Sequence, residues 1–303
     1  MDLLISSLSL GLLWSIMAIG VYLTFRILDI ADMTAEGSFP LGAAVTARQI
    51  VAGVNPWLAT LSGLLAGCLA GFVSGFLHTK LKIPALLTGI LTLTGLYSVN
   101  LLIMGQSNIS LLGRVSTVIT QLSGLSPTFA AILIGAIVLA IVIFLLVTFF
   151  NTEVGLAARA VGDNEQMSAA NGINADNMKI IIYMISNGLI ALAGSLMAQI
   201  NGYADSSMGI GTIVIALAAI IIAEVLVQNL SFGWRLITII GGAIIYRLII
   251  ALVLQWGVDP NNLRLFYALM LTVFLAAPLL QKRLVQQRRR QKNIASFKEE
   301  QHD

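Results

Sequence analysis

Charge is what this sequence has least of. Only 10% of its 303 residues are Asp, Glu, Lys or Arg, against about a quarter in a soluble domain, while 58% are hydrophobic. That balance excludes a soluble globular chain and points to an integral membrane protein. Cysteine is nearly absent. Cys68 stands alone inside an apolar run, which excludes an internal disulfide and leaves a packing role. Sequence motifs of hydrolysis are missing too. No G-x-x-x-x-G-K-[ST] loop is present, so the chain does not hydrolyse ATP by that route, and neither H-E-x-x-H nor G-x-S-x-G argues for a membrane protease or lipase. The acidic stretch Asp29, Asp32 and Glu36 invites a metal. With only two histidines in the chain and carboxylates spaced by three and four, a polar turn is the better reading, and no metal site is expected. The net charge of +3 comes largely from the basic tail and gives no argument for nucleic acid.

What is present is a series of apolar runs near the twenty residues that cross a bilayer. They predict an all-α membrane protein with spans at about 3–25, 57–77, 83–104, 128–150, 178–199, 209–228, 234–255 and 264–281. A ninth candidate at 38–53 contains Pro40 and Arg48 and is short, so a broken or re-entrant helix competes with a full crossing. The transmembrane body is thus expected over 1–281, with a basic tail at 282–303. The first run lacks a basic leader and is long enough to stay as a span. Lys282, Arg283, Arg288, Arg289, Arg290, Lys292 and Lys298 place the tail in the cytoplasm. Counting spans backward puts residues 151–177 there as well, with His78, Lys80 and Lys82. The N-terminus is then outside if 38–53 crosses and inside if it is re-entrant.

Residues 151–177 are a polar island far longer than a turn between two spans requires. Asp163 with Gln166 has the capping-box spacing, and Gly172 after Asn171 supplies a left-handed stop, so a helix of about two turns is expected at 164–171. Its small residues Ser168, Ala169 and Ala170 would let a partner approach closely.

Two spans carry stripes. Gly63, Gly67, Gly71 and Gly75 recur every four residues and give one helix a flat face for close packing, against another span of the chain or against a second subunit. In the span at 83–104, Thr88, Thr92 and Asn100 lie along one stripe, with Thr94 and Tyr97 on the same helix. Such groups line a path for a polar solute without a fixed charge. The alternative is that the hydroxyls bond back to their own helix. Glu224 and Arg247 are charges inside confident spans, each costly in lipid. A gate, a brace and a direct pair are all open for them.

The island resembles the coupling loop of ABC-importer permeases in the branched-chain amino acid, ribose and nucleoside superfamily, through Arg159, Ala160, Gly162, Asn164, Ala169 or Ala170, and Gly172-Ile173. Asp32 to Gly42, Leu91 to Asn100 with Met104-Gly105, and Tyr246 to Ala251 resemble the narrower branch that serves tryptophan, tyrosine and related ligands. Gln166 departs from the proline that relatives often carry. The resemblance implies a type II-like importer permease fold in a bacterial inner membrane. Two copies would form the pathway, two ATPase subunits would dock on the coupling helices and hold ATP and Mg, and an extracytoplasmic solute-binding protein would deliver the solute. The permease itself would hold no cofactor and no catalytic site, and a small polar solute, an aromatic or other amino acid, would move inward by alternating access. The competing class is a secondary transporter driven by an ion gradient, with Glu224 as the proton or sodium group.

Overall fold

The computed structural model describes residues 2–113, 117–121, 126–227 and 230–255, with a few helical residues between 265 and 273. The predicted span at 264–281 and the basic tail at 282–303 lie outside the described residues apart from those few. The chain forms two compact units, 1–258 and 259–303, and the first is treated below.

Local sequence sets most helix ends. α3 (Pro56–Thr79) and α5 (Pro127–Phe150) open on proline in the first turn, where a missing N–H costs nothing. Asn55 caps α3 by accepting from the Trp57 N–H. Gly105 and Gly202 take positive φ after α4 (Ala85–Met104) and α8 (Ala175–Asn201) and stop them. α1 (Asp2–Tyr22) continues into a π-helical turn, Leu23–Ile27. Among the described residues six helices are long and apolar enough to cross a membrane: α1 with its π turn, α3, α4, α5, α8 and α10 (Phe232–Gln255). They match six of the predicted spans closely.

The chain's depth can be followed from its contacts. The end of the π turn touches Gly162 of the polar island, and the start of α8 follows that island, so these share one end of the bundle, called here the loop side. α4 and α8 run away from it and finish in two short strands, β1 (Asn108–Ser110) and β2 (Tyr203–Asp205), which pair antiparallel with Ile109 opposite Ala204. This ribbon marks the other end, and neither strand is foreshadowed by the hydropathy pattern.

The doubtful segment resolves into irregular residues 28–34 followed by α2 (Ala35–Val51). The irregular stretch climbs from the loop side into the bundle, where Thr34 meets Ser74. α2 then runs on to the ribbon side, where Ala47 and Ile50 cluster with Ala59, Met104, Ile109 and Ala198. The chain therefore does pass from one side to the other here, through a broken element, and α1 begins on the ribbon side. α2 is buried along most of its length, which lets Pro40 and irregular backbone exist at membrane depth.

α9 (Thr212–Leu226) has only 15 residues, about 22 Å, and corrects the full span expected at 209–228. The polar turns after β2 dip inward first, so α9 starts deep and needs only the remaining distance to the loop side. α1 and α8 form the centre. Leu13, Ile16, Met17 and Ile19 of α1 and Leu23 of the π turn pack with Ile182, Tyr183 and Ile190 of α8, all fully buried.

The glycine stripe of α3 finds its partner within the chain. Gly63, Gly67, Gly71 and Gly75 lie against Ser195, Ala191 with Asn187, Tyr183, and Ile180 of α8, with backbone almost touching backbone. Any Cβ at Gly67 or Gly71 would strike a carbonyl of α8.

Candidate functional site

Two short helices begin deep in the bundle and run in opposite directions. The Glu36 carboxylate on the first turn of α2 accepts from the Gly211 N–H at the start of α9, 3.0 Å away. A carboxylate there complements the positive end of α9. Pro40 cannot bond the Glu36 carbonyl, and Gly209 packs against that carbonyl and the proline ring with no room for a side chain.

Beside this junction is a buried polar lattice. Asp32 accepts from the Thr34 N–H at 2.9 Å and from the Asn187 amide at 2.8 Å. Ser38 donates to Asn187 Oδ1 at 2.7 Å, and the hydroxyls of Thr34 and Ser74 are 2.8 Å apart. These bonds tie the broken element to α3 and α8, and a satisfied network in a low dielectric is rigid. Sequence reading passed over Ser38, Ser74 and Asn187. The signal was a carboxylate at Asp32 whose polar partners lay in other spans.

The five residues predicted to line a pathway on α4 do not share a face. Thr88, Thr92 and Asn100 are buried on the side toward α2. Thr92 bonds back to the Thr88 carbonyl at 2.9 Å, and Asn100 Nδ2 reaches the Gly37 carbonyl at 3.4 Å while its Oδ1 is buried without a partner. Thr94 and Tyr97 are exposed on the opposite face, with Gly95 and Ser98. A stripe at multiples of four drifts little, so two residues after Thr92 the helix has turned away.

At the loop side the island folds into α6 (Glu153–Asp163) and α7 (Glu165–Ala170). The predicted cap moves by one residue. Asp163 is the last residue of α6, whereas Asn164 is extended and its side chain accepts from the Met167 N–H at 2.9 Å. Only a residue with non-helical backbone aims its oxygen at the third N–H of the next helix, so the Asp163–Gln166 box does not form. α7 is one turn and a half rather than two. Gly172 closes it at φ +82°, as expected. Ser168 faces inward, and Met167, Ala169 and Ala170 face out. Lys179 of α8 holds Glu165 at 2.7 Å.

Arg159 and Gly162 seat the loop on the bundle. Gly162 packs on the Ile27 carbonyl. The Arg159 guanidinium lies over the rings of Phe232 and Phe150, 4.3 and 5.0 Å from their centroids. Burial lowers its pKa from the usual guanidinium value, against the opposing pull of Tyr22 and Asp163. Glu224 also acts here. Its ion pair is with Arg26 in the π turn, which braces the end of α9 to α1, and the π turn, wider than an α turn, is what brings Arg26 to it. Arg247 lies partly buried along α10.

The three acids predicted to form a polar turn are dispersed. Asp32 is in the lattice, Glu36 caps α9, and Asp29 sits at φ +55° near the loop side.

Residues 3–278 match the family model described as branched-chain amino acid transport system / permease component. The chain is 43% identical over 273 residues to a tyrosine transport system permease protein of Clostridioides difficile (strain R20291), covering 90% of each. It is 34% identical to an uncharacterized protein of Rickettsia prowazekii (strain Madrid E) over 91% of this chain and 98% of that one. It is 30% identical to a ribose import permease protein of Bacillus subtilis (strain 168) over 83% and 76%. No solved structure matches the chain. The chain belongs to this family of membrane permease components.

Proposed function

We propose, with family membership as the premise, that the chain is the permease subunit of an ATP-binding-cassette importer in a bacterial inner membrane, moving an aromatic amino acid inward. The observation that carries this reading is α7, a short helix anchored through Glu165 to α8 with Met167, Ala169 and Ala170 turned outward. It is shaped to seat in a partner's groove and joined to the centre of the bundle. The loop side is then cytoplasmic, in keeping with Lys80 and Lys82 there. The ribbon side receives an extracytoplasmic binding protein, and the open face of α4 meets a second copy across the pathway. ATP and Mg belong to the partner ATPases, and this chain holds no cofactor of its own.

Nucleotide closes the ATPases, α7 moves with them, and α6 transmits the shift to the π turn through Gly162 and Arg159. Since Arg26 and Glu224 lock that turn to α9, whose other end meets Glu36, movement at the loop side reaches half depth through packed elements. Tyr97 on the open face of α4 would stack on an aromatic solute, at a gain of about 0.5–1.5 kcal/mol. Likeness to a relative named for tyrosine transport supports the substrate class.

Two measurements test the reading. Ala169→Trp should overfill the ATPase contact, abolishing uptake and uncoupling ATP hydrolysis from the binding protein while the membrane fold persists. Normal stimulated hydrolysis would sink the coupling role of α7. With the wild-type complex reconstituted, ATP-dependent uptake of labelled tyrosine and tryptophan should exceed that of leucine, ribose and a nucleoside. Saturable ribose or nucleoside uptake without the amino acids would discard the substrate class and leave the importer.

A further inference from the structure

A cavity of about 510 Å³ opens at the loop side where the end of α5, the middle of α6 and the start of α10 meet. Its volume lies within the range of small-ligand sites. The lining changes character with depth. Asn151, Arg159 and Ser231 supply polar groups at the mouth, while Val147 and Ile237 on membrane-crossing helices supply an apolar wall, and Trp234 stands exposed between them. Tryptophan favours that level of a bilayer because its ring is apolar and its N–H is polar.

The charge of the site is one-sided. Arg159 is fixed by its stacking on Phe150 and Phe232, and its Nε is buried with no hydrogen-bond partner. An unpaired guanidinium donor is expensive, and since the buried Nε has no open surface, an acceptor would meet Arg159 through the part of the fork that borders the cavity. Among the described residues Asp163 and Tyr22 act on Arg159 electrostatically, but neither lines the cavity. Arg26 and Arg235 lie near Tyr22 in the same region, opposed by Glu224. Glu224 already answers Arg26, so the neighbourhood is cationic. Guanidinium suits phosphate oxygens in particular, because its N–H groups are set in a fork.

We infer that this cavity binds the phosphate of an anionic phospholipid of the loop-side leaflet, with the headgroup on Arg159, Asn151 and Ser231 and an acyl chain along Val147 and Ile237. A free phosphate would answer Arg159 equally well but would leave the apolar wall without a partner. The site joins the coupling loop to the membrane, so the lipid would stiffen the seat of α6.

Trp234 is a built-in reporter. In the full-length chain with Trp14, Trp57 and Trp256 replaced by Phe, fluorescence is recorded in phosphatidylcholine vesicles carrying a minor share of acyl-brominated phosphatidylglycerol or acyl-brominated phosphatidylcholine. One arginine near an anionic surface favours the anionic lipid by about fivefold, so phosphatidylglycerol should quench Trp234 at correspondingly lower mole fraction. The preference should vanish in Arg159→Gln. It should vanish also in Ser231→Phe, which blocks the polar mouth and leaves the arginine stack intact, and which serves if Arg159→Gln does not fold. Excess inorganic phosphate should leave the preference in place. Equal quenching by the two lipids, a preference that survives both variants, or its loss to inorganic phosphate would overturn the lipid site.

Discussion

α3 and α4 follow one another in the chain, both lean on α2, and bury themselves in opposite ways. α3 has a seam of four glycines pressed on the backbone of α8, leaving its other face, with Leu58, Leu61, Leu65 and Leu69, exposed and wholly apolar. α4 turns Thr88, Thr92 and Asn100 inward onto α2 and leaves outward a face on which Thr94, Gly95, Tyr97 and Ser98 interrupt the leucines. A helix whose small residues are consumed inside the chain has only lipid-compatible side chains left to show. Thr94 bonds back to the Ile90 carbonyl at 2.8 Å, but the exposed phenol of Tyr97 at membrane depth is better placed with water, solute or another protein beside it than with lipid tails. The difference sets an all-apolar outer face on α3 against an interrupted one on α4, the face that the proposed pathway would use.

The sharpest way to break this comparison is to put the same side chain into each helix. Gly71→Leu would drive a branched side chain into the Tyr183 carbonyl, and the overpacking should cost about 3 kcal/mol or prevent folding. A Cβ at Gly95 meets no heavy atom within 4 Å, so Gly95→Leu should stay within about 0.5 kcal/mol of the parent. Thermal unfolding of the two purified variants in the same detergent measures the gap. Equal stability would mean that the seam between α3 and α8 does not hold the bundle. Gly95→Leu should then fold and still lose uptake, if the face it sits on meets the solute or a second copy.

A second test works on α4 alone. In a Cys68→Ala background, cysteines at Thr94 and Tyr97 should react with a small membrane-impermeant thiol reagent, at rates that change with nucleotide in the assembled transporter. Cysteines at Thr88 and Asn100, both fully buried, should react at least about tenfold more slowly, since opening that seam costs more than about 1.4 kcal/mol. Fast labelling at Asn100 would move the pathway to the α2 side and reverse the assignment of faces.

The smallest expected effect concerns the ribbon that closes both α4 and α8. Asp205 is partly buried, which raises its pKa, but the hydroxyl and N–H of Ser207 and the amide of Asn108 outweigh this and hold the carboxyl below its usual value. A depressed pKa contributes stability that is present above the unfolded value and is lost as pH falls through the folded one. The protection of the Ile109 and Ala204 amides, taken relative to intrinsic exchange at each pH, should therefore fall only in acid, below the ordinary carboxylate range. Asp205→Asn should remove that acid dependence, and an unchanged acid response in the variant would assign it elsewhere.

Hydropathy alone located six spans because twenty apolar residues in a row have few other uses. It stretched α9 because Met208 and Ile210 extend the apolar run although they sit in the turns that dip toward Glu36. The cap at Asn164 was missed by one residue because Asp163, Asn164 and Gln166 offer overlapping capping patterns. Which one forms depends on where the backbone turns extended. Exposure of Ala169 and Ala170 was legible from the small polar island around them. The inward turn of Arg159 onto Phe150 and Phe232 was not, since those rings belong to different helices.

By itself the sequence determined that this chain lives in a bilayer, where its helices lie, and which family it resembles, since composition, run length and motif spacing are local properties. Only the tertiary structure decided that the glycine seam is internal, that Glu224 answers Arg26, and that α2 and α9 meet end to end at Glu36. Each of these joins residues far apart in the chain, and in lipid such pairings are chosen by close packing and by polar groups finding partners, which no single helix specifies.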